Sequence, residues 1–113
     1  GYLTSHKDCK LVVIDHGALT AQAGNALRGA NIKPGAFGIA GFSLSPATAE
    51  AIKSGYVNLV SEGQPYMMGY LAVTQIVLNK RGNFGGIYVD TAGGFVTKQN
   101  IDKVAPLANK AIR

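Results

Sequence analysis

The residues able to do chemistry are few, and most sit just after apolar runs. Asp15 and His16 follow "CKLVVI", Ser43 and Ser45 follow "AFGIAGF", Glu62 and Gln64 follow "YVNLV", and Asp90 closes "GIYV". Asp15 and His16 are the only adjacent acid and base of this set. Neighbours on a strand point to opposite faces, so the pair makes a poor proton-transfer dyad unless the strand has ended before them. The plainer expectation is a loop-lining pair that orders a helix start or touches a ligand. Cys9 begins an apolar run, away from the strand ends, and reads as an inert thiol rather than a nucleophile. His6 and His16 stand ten apart with no Cys or carboxylate cluster at metal spacing, so no metal is expected. "GIAGFSLS" lacks the second glycine of a nucleophile elbow. "GGIYVDTAGGF" has neither GxxxxGK[ST] nor a turn opening straight into a helix, so no phosphate loop and no cofactor is expected. The residues therefore favour binding over catalysis.

The elements that must position these groups alternate in type. "CKLVVIDHG" (9–17) reads as a strand buried on both faces. Thr20 can cap a helix carrying Ala23, Leu27 and Ala30 inward, and "KPG" at 33–35 ends that unit. "AFGIAGF" (36–42) is a second strand. Ser45 then serves as N-cap with Pro46 at the first helical position, where its missing N–H costs nothing. Ala47, Ala51 and Ile52 face inward, and Gly55 stops the helix. "YVNLVS" (56–61) is a third strand. Pro65 opens a helix with Tyr66, Met67, Tyr70, Leu71, Thr74, Val77 and Leu78 near one stripe. "GIYVDT" (86–91) reads as a fourth strand, "AGGF" as a turn, and Asn100 as the cap of a last helix with Ile101, Val104, Ala108 and Ile112.

That alternation predicts an α/β fold with a doubly wound parallel sheet and right-handed crossovers. Ligands of such sheets sit outside the carboxyl ends of the strands. Four loops qualify: Asp15–Leu19, Ser43–Ser45, Ser61–Gln64 and Asp90–Gly94.

Composition agrees with a folded module. In 113 residues, 47% are hydrophobic and 15% charged, enough for a core and against disorder. No apolar run reaches the ~18–20 residues of a membrane span, so no direct membrane insertion is expected. No basic-then-apolar leader is present, which fits a cytosolic protein, a processed mature chain or a fragment. The net charge is +5, but its Lys and Arg residues are scattered without interleaved aromatics, so a solvated basic surface is expected and not a nucleic-acid interface.

The run "GFSLSPATAEAIKSGYVNLVSEGQPYMMGYLAV", with "HGALT", "VDTAGGFV" and "NID", resembles the C-terminal part of periplasmic sugar-binding proteins of ABC transporters, the ribose-binding-like type I group. The resemblance runs along nearly the whole chain. It implies a two-lobe receptor that closes on a sugar and hands it to a permease from a periplasmic or extracytoplasmic site. On that pattern residues 1–64 are the later half of the C-terminal lobe. Residues 65–91 are the final helix and strand of the other lobe, and 92–113 the return crossing and terminal helix. The missing N-terminal part would come from a complementing chain or a swapped dimer. The implied ligand-binding positions are Asp15, His16, Ser43, Gly63 and Gln64. Ser43 stands where the family typically has an Asp, Gly63 where it often has a Gln, and Met68 where a Gln is usual before Gly-Tyr. Those changes remove the carboxylate and amide forks that suit vicinal hydroxyls. They imply a less hydroxylated, larger or more apolar ligand, or a site that no longer takes sugar. Two alternatives remain at this point: the effector domain of a LacI-type transcription regulator, and a small flavodoxin-like enzyme.

Overall fold

The computed structural model describes residues 2–112. A short helix α1 (Tyr2–Ser5) precedes β1 (Leu11–Val13), α2 (Gly17–Gly29), β2 (Gly38–Phe42), α3 (Pro46–Lys53) and β3 (Leu59–Glu62). Then come α4 (Pro65–Gly82), β4 (Gly94–Thr97) and α5 (Ile101–Asn109). The strands lie in the order β1-β2-β3-β4. β1, β2 and β3 are parallel, while β4 pairs antiparallel with β3, Val60 opposite Val96. The expected α/β class holds; the sheet, expected to be parallel throughout, is parallel-dominated, with β4 the antiparallel exception.

Stepping the same way along the sheet, right-handed crossovers bring α2 and α3 to one face. There α2 packs on α3 and α3 on α5. Alternation along the strands sends Ile39, Val60 and Val96 under these helices, where they meet Leu27, Leu44, Ile52, Val57 and Ile101. The opposite register residues remain open among the described residues: Leu11, Val13, Phe42 and Phe95 are all exposed. Strands buried on both faces were expected, and these are buried on one.

Local chemistry sets the helix ends. Ser45 Oγ accepts from Thr48 N (3.1 Å) and Pro46 occupies the first turn, as expected. Gly55 ends α3 with φ +80°, the left-handed conformation glycine adopts without penalty. Thr20 is not a cap. The helix starts three residues earlier, and His16 caps it by accepting from Ala18 N (3.2 Å). Thr20 is instead fully buried: Oγ1 donates to His16 O (3.0 Å) and accepts from Phe42 N (3.3 Å). Ala30 and Ala47, expected inside, are exposed. Asn100 does not cap α5 with its side chain. It accepts from Thr97 N and donates to Phe95 O, fastening β4.

Residues 65–93 form a separate arm. α4 has no buried residue. Residues 83–93, expected to hold a strand, fold back along α4 without pairing into the sheet. Gln75 Oε1 accepts from Ile87 N (2.8 Å) and Asn79 Nδ2 donates to Phe84 O (3.1 Å). The arm draws the described residues out to 60 × 25 × 20 Å.

Candidate functional site

The loops after β1, β2 and β3 converge at the carboxyl end of the sheet. Their spacing is set by glycine. A Cβ placed on Gly17 would lie 2.8 Å from Ser43 Cβ, so only glycine lets the start of α2 approach the loop after β2 this closely. Behind it, a Cβ on Gly41 would lie 2.5 Å from Thr20 Cγ2, so α2 sits directly on the β2 backbone. The Thr20 hydroxyl then ties the first turn of α2 to the last residue of β2.

Ser43 leaves β2 in the left-handed region, φ +67°, with its N–H on Ser61 O (2.9 Å). Gln64 ends the β3 turn at φ +51°. These turns open a cleft of about 310 Å³ lined by Phe42, Ser43, Ser61, Gly63, Met68 and Ala92, among others. Its wall is mainly apolar, with Ser43, Ser61 and Glu62 as its polar residues, the usual make-up of a small-molecule pocket.

Of the expected positions, Ser43 and Gly63 lie in this cleft. Asp15 and His16 lie beyond the end of β1 and are exposed, next to Ser43 through Gly17. His16 Nδ1 is engaged by the start of α2, which is the helix-ordering role. The Gln64 side chain turns away from the cleft, and Nε2 donates to Thr91 O (3.0 Å). Thr91 Oγ1 donates to Gly63 O (2.8 Å), so the outgoing and returning ends of the arm are stitched together. A Cβ on Gly63 would meet nothing within 4 Å, so a longer side chain has room there.

From sequence, Glu62 falls in a candidate loop but was assigned no role. Glu62 ends β3, is 6% exposed, and accepts from Leu44 N and from Gln64 N (2.9 Å). The signal was its place, two residues after Val60 on the helix-covered side of the strand. Among the described residues, no group of three or more His, Cys, Asp or Glu side chains is arranged to hold a metal ion. No described helix is long and apolar enough to cross a membrane.

Over 107 residues the chain is 34% identical to a xylose/arabinose-binding protein of Sulfolobus acidocaldarius. The structure of a carbohydrate transporter from Acidothermus cellulolyticus, in complex with myo-inositol, matches 99% of this chain with a TM-score of 0.81 and 27% identity. Over this stretch the chain is similar in sequence and fold to sugar-binding proteins. The match takes in 88% of this chain but 26% of the Sulfolobus protein, and 39% of the Acidothermus chain, so it spans only part of their length. A galactofuranose-binding protein, 16% identical, shares the fold over 96% of this chain with a TM-score of 0.78. These relatives are binding and transport proteins by name, not enzymes. No protein-family model matches the chain.

Proposed function

We propose that this chain is part of a solute-binding protein that takes a sugar or sugar-like molecule outside the cytoplasm and delivers it to the permease of an ABC importer. The cleft at the carboxyl ends of β2 and β3 carries this reading. Phe42 offers a flat apolar surface to the C–H face of a sugar ring, while Ser43 and Ser61 offer hydroxyls to its edge. Asp15 and His16 lie exposed on the neighbouring loop, just before the Gly17 that faces Ser43, and Gly63 leaves space for a ligand. Gln64 contributes through the turn it makes more than through its amide. The homology to a xylose/arabinose-binding protein supports the substrate class. With few fixed polar groups, the preferred ligand is less hydroxylated or larger than a simple pentose.

The two uncovered surfaces support the expected division at 1–64, 65–91 and 92–113. α4 exposes Tyr66, Tyr70, Val73 and Ile76. A helix apolar on all sides belongs inside a larger body. The open sheet face is apolar as well, and a patch of this kind calls for a cover. A further part of the receptor, or the same part of a swapped second copy, would fill both.

Thermal-shift measurements on the protein expressed from its complete gene test the reading. Pentoses, hexoses, myo-inositol and nucleosides are each added in large excess. One class should raise Tm, because a ligand at 100 times its Kd adds about 2.7 kcal/mol to stability. Unchanged melting across the panel would reject the sugar-binding function.

A further inference from the structure

Glu62 links two loops that are far apart in sequence. Its Oε2 accepts from Leu44 N, 18 residues earlier, and its Oε1 accepts from Gln64 N (2.9 Å). Leu44 is fully buried and Glu62 nearly so, which shields the bond between them from water, while the bond to Gln64 lies nearer the surface. Hydrogen bonds to a carboxylate are shorter and stronger than neutral ones. Each tie falls at a left-handed backbone turn built without glycine: Ser43 at φ +67°, next to Leu44, and Gln64 itself at φ +51°. Such conformations persist only where the surroundings over-determine them. The Gln64 turn passes the constraint on through Thr91, which donates to Gly63 O.

We propose that Glu62 is a positioning residue for the cleft. Its carboxylate holds the turn carrying Ser43 and the turn carrying Gly63 in fixed relation, so both walls are preorganised before a ligand arrives. The inference rests on the sugar-binding reading for its function, though not for its geometry. Glu62→Gln keeps size and shape but turns an NH₂ group toward one of the two backbone N–H groups, so one tie becomes donor against donor. Glu62→Asp keeps both acceptor oxygens on a shorter stem and restores part of the bracing.

The test uses the protein from its complete gene with D-xylose, L-arabinose and myo-inositol as probes. Titration calorimetry and amide hydrogen exchange are run on wild type, Glu62→Gln, Glu62→Asp and Val96→Ala, a core change beside Glu62 that removes neither of its two hydrogen bonds. Glu62→Gln should lose about tenfold in affinity and speed exchange in both 43–45 and 62–64, with Glu62→Asp intermediate. Val96→Ala should lower Tm with affinity within about twofold of wild type. Wild-type affinity in Glu62→Gln, or affinity losses that simply follow Tm in both variants, overturns the proposal. If wild type binds none of the probes, these three are excluded as ligands, the wider thermal-shift panel decides the sugar-binding reading, and exchange decides the brace alone. Faster exchange in both windows for Glu62→Gln, and in neither for Val96→Ala, supports it; one window or none overturns it.

Discussion

The sheet with its three packed helices and the arm of residues 65–93 have similar apolar content and opposite fates. In α3, Ile52 is 1% exposed; in α4, Ile76 is 61% exposed. The same side chain is core in one helix and surface in the other. What separates them is company: α3 lies between α2 and α5, while α4 has only its own returning strand of chain against it. Hydrophobicity along a sequence records what a segment will be buried against, whether or not that neighbour lies nearby.

That contrast can be broken most directly with matched substitutions. Ile52→Ala should destabilise by roughly 2–5 kcal/mol, whereas Ile76→Ala should cost less than about 0.5 kcal/mol, both read by urea unfolding of this chain. Equal losses would mean that the arm is covered in solution. In the complete protein the two costs should converge, which sharpens the proposal that another body covers α4.

A smaller effect tests how tightly the packed region is built. Gly41→Ala drives a methyl group into Thr20, which is held at both ends by hydrogen bonds. Overpacking of this kind costs about 1–3 kcal/mol. An alanine at Gly69 in the arm meets nothing and, in mid-helix, should stabilise by about 0.5–1 kcal/mol. Parallel thermal melts of the two variants compare them directly.

Between the regions, the cleft should respond in affinity rather than stability. Ser43→Asp with Gly63→Gln should tighten sugar binding by about tenfold, near 1.4 kcal/mol, by calorimetry. Asp tolerates the left-handed turn at 43 better than most residues, and the glutamine has open space at 63. Unchanged affinity would remove both positions from the site. The smallest effect belongs to Lys53 and Asp102, which bridge α3 and α5 at 3.2 Å on the surface. Lys53→Ala should cost about 0.2–1 kcal/mol, less at high salt.

What could be read from the chain alone was mostly local. Ser45, Pro46 and Gly55 bound α3 through contacts within a few residues, and they fall where their chemistry puts them. The strand-end loops follow from the alternation of elements. Thr20 and Glu62 were misread or passed over because their partners lie 22 and 18 residues away. A threonine near a helix start looks like a cap, and a glutamate ending a strand looks solvated, until the fold brings a backbone N–H to each. Residues 86–91 have strand composition, yet Tyr88 is 90% exposed and nothing described pairs with it. The antiparallel β4 instead uses "GFVT", whose glycine suggested a turn.

The contact between Gly17 and Ser43 fixes the width of the cleft at a point where no side chain exists. On the proposed reading, ligand choice would be retuned at 43 and 63 while the gauge of the opening stays the same. A designer wanting a new specificity would vary 63 most freely, keep 43 to residues that tolerate a left-handed turn, and leave Gly17 alone, since even one added methyl there would press on Ser43.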